Sequence, residues 1–213
     1  MTPTEAAARH IAIALSCVGL SALRDPLRFG AVCAPNGPAG ARAFFCQQNV
    51  AQGANSPCET VGAGMVAMTF AELGLPYLQE PLDSAAGEWG RFTALARPRG
   101  ALHSPENPGK GIRVGCVVHA ENAAGRHWRT IVEDLGGGRW RTVDGTLENG
   151  CGIIHSVEVE IAGGVYDRTG LRPVREWIDV GELFAALLPC AEPDAADSIV
   201  DGDSRAFGAG EIV

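Results

Sequence analysis

The sequence predicts an α+β domain, with helices first and an antiparallel meander after them. Two stretches carry this expectation. Ser56 to Pro76, SPCETVGAGMVAMTFAELGLP, reads as one capped helix with apolar residues on several sides, and from Ile112 the chain turns to short β-branched runs separated by Gly-rich turns. A helix of that kind must be covered on more than one side. The expected architecture is therefore N-terminal helices with a central buried helix packed on an antiparallel sheet.

The 213 residues are enough to bury a sizeable core, and we divide them into one domain, 1–190, and an acidic tail, 191–213, expected to be solvated and flexible. The formal net charge of −8 argues against a nucleic-acid groove as the main purpose. From Glu192 to Val213 there are six acids and one Arg, so most of the excess charge sits in the tail. No run approaches the roughly 20 apolar residues that cross a bilayer, and no membrane partner is expected. Seven cysteines, at 17, 33, 46, 58, 116, 151 and 190, form no C-x-x-C pair and read mostly as small buried hydrophobes in a reducing compartment.

Near the N-terminus, the apolar run Ile11 to Leu23 invites comparison with a signal peptide. The leader MTPTEAAARH carries a Glu and a single Arg, and no clear cleavage site follows, so a capped amphipathic helix from Thr4 to about Val18 is expected instead. Arg24 to Gln52 is rich in Gly, Pro and Ala without a sustained period and is expected to cross the surface before burying Phe44 and Phe45.

The central helix has clear punctuation at both ends. Ser56 suits the N-cap, Pro57 the first position, and Glu59 completes a capping box; Gly74 and Pro76 stop the helix. Its apolar residues fall into two stripes, Val61, Met65 and Met68, then Val66, Phe70 and Leu73, with Gly and Ala keeping the body thin. Asp83 to Ala96 is expected to be helical around Trp89 and Phe92, and Arg97 to Gly111 to be a loop broken by Pro and Gly. Strands are expected at 112–119, 127–134, 139–144 and 153–161. The last should set Ile153, Val157, Val159 and Ile161 on one side and Ser156, Glu158 and Glu160 on a wet face. Arg175 to Asp179 leads into a second capping pattern, Asp179-x-x-Glu182, and a short helix through Leu188.

The chemistry centres on Cys58, on the first turn of the central helix, where unpaired backbone N–H groups and the helix dipole favour a thiolate. A catalytic thiol needs a base, and the base needs a group to orient it. His127 opens HWRTIVED, which LGGG joins to RWRTVDGT as a hairpin. A turn centred between Leu135 and Gly136 sets His127 directly opposite Asp144, with Cβ atoms about 5 Å apart. A turn centred one residue later sets Thr146 there instead, so Thr146 is the reserve orienting residue and Glu148 a more distant one. Gln52, six residues before the cysteine, is a candidate second donor to an oxyanion beside the Cys58 N–H. Trp128 and Thr146, beside the proposed base and acid in sequence, are candidates for contact with substrate.

A Cys at a helix start, then a His at a strand start, then a polar residue on the next strand resembles the papain-like cysteine peptidases. Within that group SPCETVGAGMVAMTFAELGLP resembles the nucleophile helix of CHAP and NlpC-type cell-wall peptidases, GCVVHAENAAGRHWRTIVEDLGGGRWRTVDGTLENG their His hairpin, and REWIDVGEL the closing segment of some bacterial and phage members. Roughly Ser56 to Leu188 is covered. Those families often carry an Asp where Cys116 stands, a small apolar residue where Trp128 stands, and Glu-x-Asn where this chain has Asp144-Gly145-Thr146. The resemblance implies a papain-like fold and hydrolysis of peptide or amide bonds in peptidoglycan, with no metal and no cofactor. An immunity or inhibitor protein would be a further partner. The chain would be made in the cytoplasm and exported or released by a phage or secretion route.

The same hairpin is also similar to the His and Asp strands of transglutaminase-like proteins, in which Asp at this place and Trp soon after the His are usual. A third expectation is that the fold serves as a non-enzymatic binding or structural module. Cys116-x-x-His119 and Cys151-x-x-x-His155 have intervals found in zinc sites, but the first falls in an expected strand, where residues three apart face opposite sides.

Overall fold

The structure, a computed structural model, describes residues 1–33, 57–75, 87–123, 125–148 and 151–188. It is an α+β arrangement of five α-helices and seven strands among these residues. The expected capping box at Ser56, the expected burial of Phe44 and Phe45, and the 191–213 tail lie outside the described residues.

Helix α1 (Pro3–Ser16) starts with Thr2 as N-cap, whose side chain accepts from the N–H of Glu5 while the Glu5 carboxylate accepts from the Thr2 N–H. It begins and ends slightly before the expected range and buries Ala6, His10 and Ala14. Helix α2 (Pro26–Cys33) is a correction. Its stretch lacks a long period, but Phe29 and Val32, three residues apart, meet the central helix, and that packing stabilises a two-turn helix that propensity alone would leave unformed.

The central helix, α3 (Pro57–Glu72), forms as expected. Its two stripes address two different cores. Val61 and Met65, with Met68 against them, join Phe29, Val32, Val143 and Ile154, whereas Val66 and Phe70, with Leu73 against them, join Phe92, Val117, Trp128 and Phe184. The small residues let neighbours approach closely. A Cβ at position 62 would lie 2.9 Å from the Trp128 ring, and one at position 64 would run into the backbone carbonyl of Val32. Gly64→Ala is accordingly expected to lower stability by about 1–3 kcal/mol, because backbone cannot yield as a side chain can. A urea titration with an unchanged midpoint would show that α2 and α3 separate freely. At its C-terminus Gly74, with φ +65°, allows the Leu75 N–H to reach the Phe70 carbonyl at 2.9 Å and the Gly74 N–H to reach Ala71 at 3.1 Å, a Schellman closure.

Helix α4 (Gly87–Ala96) falls within the expected third helix. The expected loop after it instead contains a single 3-10 turn, Arg97–Arg99, and a two-residue strand, β1 (Leu102–His103), paired with the last strand. Prolines break up that stretch without preventing a brief edge pairing.

The meander is β2 (Cys116–Asn122), β3 (Gly125–Gly136), β4 (Arg139–Glu148), β5 (Cys151–Ala162), β6 (Tyr166–Asp167) and β7 (Arg172–Asp179), all antiparallel. Strand β7 returns beside β2, and the short β6 bridges β5 and β7, so the sheet curls closed. The curl encloses a third core of Cys116, Val118, Ala120, Ile131, Val159, Ile161, Val174 and Trp177. The opposite face carries the helices. Strand β5 shows both environments. Ile154 is buried toward the helices, Val159 and Ile161 toward the inside of the curl, and Ser156 and Glu158 are exposed. The single wet face expected for 153–161 therefore holds for its middle and not for its start, where the helix layer covers the sheet.

Helix α5 (Val180–Leu187) is capped by Asp179, which accepts from the Glu182 N–H at 2.9 Å as the second capping pattern requires. Arg113 pairs with both Asp179 and Glu182 and ties the preceding loop to this helix. Helix α5 also packs on α1, where Gly181 lies against Pro3 and Ala7. No helix among the described residues is long and apolar enough to cross a membrane.

Candidate active site

Cys58 is the second residue of α3, and its side chain is buried. The helix crosses the sheet over Trp128, so its N-terminal end comes down beside the first residues of β3. There the Cys58 Sγ lies 3.8 Å from the carbonyl oxygen of Arg126, and the thiol shares a hydrogen bond and a charge interaction with the His127 imidazole.

His127 Nε2 donates to Asp144 Oδ2 at 3.0 Å. The pairing behind this contact differs from the expected one. The turn is the two-residue link Gly137-Gly138, both with positive φ, so Gly136 pairs with Arg139. Two bulges on β3, between Ile131 and Glu133 and between Asp134 and Gly136, then shift the register before it reaches the site, where Thr130 faces Val143. The ladder pairs end there; continued, the same count sets Arg129 level with Asp144 and the reserve residue Thr146 level with His127. Asp144 nevertheless reaches His127 on the diagonal, since His127 and Arg129 point to the same face of the strand.

The carboxylate has two other neighbours. Arg129 Nη1 donates to Asp144 Oδ2 at 2.5 Å, and Arg129 Nε donates to Asp167 Oδ2 at 3.1 Å. His155, paired with Asp144 in the β4–β5 register, brings its Nε2 against the other carboxylate oxygen, Oδ1. Asp167 in turn accepts from the N–H groups of Thr169 at 2.9 Å and Gly170 at 3.2 Å. Asp144, Arg129 and Asp167 are all buried, so the charges are compensated within the protein.

The protonation states follow from these contacts. Burial alone would push the His127 pKa down; the hydrogen bonds to Asp144 and Cys58 and the charge on Cys58 outweigh it, against an opposing Arg129, and hold it at about 9. Burial would raise Asp144, but the bonds from His127 and His155 and the charges of Arg129 and His127 bring it down to about 2. At neutral pH the arrangement is an imidazolium between a thiol or thiolate and a carboxylate. By contrast Cys116 is pushed up to about 12 by burial, with the charge of Asp179 adding to it, which makes it a poor nucleophile.

Of the other residues expected at the site, Gln52 lies outside the described residues. Trp128 is a correction: it is buried in the core under α3, against Gly62, because alternation along β3 turns it to the opposite side of the strand from His127. Thr146 is half-buried on β4 beyond Asp144. His155 was legible only as part of a zinc interval, and Arg129 and Asp167 carry no motif that marks them. The sign that could have found His155 is its place across the β4–β5 hairpin from Asp144. Among the described residues no set of three or more His, Cys, Asp or Glu side chains is arranged to hold a metal ion.

Compared with protein-family models, with curated proteins and with solved structures, the chain matches none.

Proposed function

We propose that the chain is a papain-like, cysteine-dependent hydrolase of amide bonds with Cys58 as nucleophile, His127 as acid and base, and Asp144 as the orienting group. The observation that carries this reading is a continuous chain of contacts from a thiol on the first turn of a helix to an imidazole and on to a buried carboxylate. With Nε2 committed to Asp144, Nδ1 is the nitrogen left for the thiol. The Cys58 thiolate would add to the substrate carbonyl, with the Cys58 N–H directed at the oxyanion. The His127 imidazolium would protonate the departing amine, and water would then hydrolyse the thioester with His127 as base. Peptide or amide bonds of peptidoglycan are the substrate class the sequence resemblance favours.

Iodoacetamide alkylation of Cys58 across pH tests the nucleophile. A buried thiol reacts slowly at every pH, so the shape of the profile is decisive and its height is not. An activated thiol should keep an appreciable rate well below pH 8, whereas a single rise near the ordinary cysteine range would remove the catalytic role. Digestion of purified peptidoglycan, read as new amines, then tests the substrate class. The aspartate as third member also favours a transglutaminase-like acyl transfer. That reading predicts incorporation of a labelled primary amine into a glutamine-containing protein.

A further inference from the structure

We propose that Arg129, anchored by Asp167, is a positioning residue that holds Asp144 in line with His127. The proposal rests on the reading of Cys58, His127 and Asp144 as a catalytic set, and goes beyond it to the group that gives the set its geometry.

A carboxylate on a strand can turn about its side-chain torsions, and a single bond from an imidazole does not stop it. Here the bonded oxygen is Oδ2, which receives the His127 Nε2 and the Arg129 Nη1, and Oδ1 has His155 beside it as an ion-pair neighbour. Of the two flanking groups His155 is the looser, with its side chain about one-third exposed, while Arg129 is buried. Arg129 cannot drift, because its Nε is tied to Asp167 at 3.1 Å. Asp167 is itself held, accepting through Oδ1 from the N–H groups of Thr169 and Gly170 in the turn between β6 and β7. A planar guanidinium is suited to this task because Nη1 and Nε point to two different carboxylates at once. The ammonium of a lysine is a single point and cannot span both.

The arrangement explains why a register that sets Arg129 level with Asp144 can still serve His127. The arginine, next after the last ladder pair, pins the carboxylate, and the histidine reaches it from two residues further along the strand. The strand closure through β6 then has a role in the site. It brings Asp167 to the end of the network.

Position and charge make opposite forecasts. Among the described residues, the charged and titratable groups that face His127 are Cys58 from α3, Arg129 from its own strand and Asp144 from β4, with His155 and Asp167 behind them from β5 and β6; its partner on β2 is Ala120. If Arg129 acted only as a nearby cation, removing it would make His127 easier to protonate, and replacing it by lysine would change little. If it positions Asp144, either change frees the carboxylate and weakens the bond that keeps His127 protonated.

The experiment is an NMR titration of the intact chain labelled with 15N-histidine, with His127 assigned by loss of its signals in H127Q. It needs no turnover, so its outcome is independent of whether a substrate is found. In wild type the Nε2–H proton of His127 should be observable and protected from exchange, with a titration midpoint near 9. In R129K and in R129M the protected proton should be lost and the midpoint should fall toward the ordinary histidine value. In D167N, which keeps an oxygen for the Thr169 and Gly170 N–H groups, the same proton should be lost. A midpoint in R129K that stays at the wild-type value, or one in R129M that rises, overturns the proposal. R129K retains the buried cation and so remains informative if R129M does not fold. Ordinary alkylation kinetics at Cys58 together with a lowered midpoint in R129K would remove the catalytic reading and leave the positioning intact.

Discussion

Cys58→Ala should abolish amide hydrolysis, lowering turnover by about 10⁴-fold or more, because a thiol nucleophile has no substitute in a site of this kind. The fold should survive. Position 58 is on the first helical turn, alanine is a good helix former, and the change removes one buried sulfur that lies 3.8 Å from the Arg126 carbonyl oxygen. Its effect on His127 should be specific. The thiol's hydrogen bond and charge both raise the His127 pKa, so without them the value should drop from about 9 while remaining supported by Asp144. The measurement is peptidoglycan digestion beside a histidine NMR titration of wild type and variant. Full activity in Cys58→Ala would end the nucleophile assignment. Lost activity with an unmoved His127 midpoint would mean that the two side chains do not share a proton.

Asp144→Asn is expected to have the second-largest effect, on activity and on stability together. An asparagine can still meet His127, but the imidazolium loses its buried counter-charge, and the cost in turnover for such a change is about 10⁴-fold where the acid orients and stabilises the base. Stability suffers because Arg129 is left facing a neutral group, with Asp167 alone among the described residues to balance it. Removing one member of a buried ionic pair costs about 3–5 kcal/mol.

The pH dependence has a definite sign. Asp144 is held at about 2, below its unfolded value, so its contribution is present above about pH 4 and is lost as the pH falls toward 2. A tenfold difference in proton affinity between the folded and unfolded chain is worth about 1.4 kcal/mol, which makes that contribution about 2 kcal/mol. His127 is held at about 9, above its unfolded value, so its contribution is complete below about pH 6.5 and is lost as the pH rises through 9. Both draw on the same bond and are not added. Urea unfolding across pH should therefore show wild type losing stability at both ends, and Asp144→Asn showing a much flatter curve. Two curves of the same shape would mean that the carboxylate is not ionised in the fold.

Much of the fold was legible because it is written in local chemistry. Asp179 caps α5, and Gly74 closes α3 in the left-handed conformation that glycine, lacking a Cβ, adopts without strain. The two stripes of α3 were legible for the same reason, since a period of 3.6 needs no knowledge of the partner. What failed locally was α2, whose single stripe of Phe29 and Val32 is too short to register as a period and which depends on α3.

The candidate site was legible in its residue types and not in its wiring. Cys58 and His127 could be chosen because a helix start and a strand start are local features. The partner of His127 depended on counting residues through a glycine-rich turn and two bulges, and each bulge moves every later pair by one. The expected opposition of His127 and Asp144 was therefore incorrect, although the contact between them forms on the diagonal. Trp128 was misread because a residue beside a base in sequence points to the other side of the sheet.

By itself the sequence determined that helices precede a meander, where α3 ends and α5 begins, and which thiol and imidazole could be brought into one site. Each of those is a statement about neighbours within a few residues. Only the tertiary structure decided that the sheet curls closed through β6, that Trp128 is core, and that Asp144 is shared among His127, Arg129 and His155 while Asp167 anchors the arginine. These depend on strand register and on closure between residues far apart in the chain, which are set by the summed packing of three cores and by no single local preference.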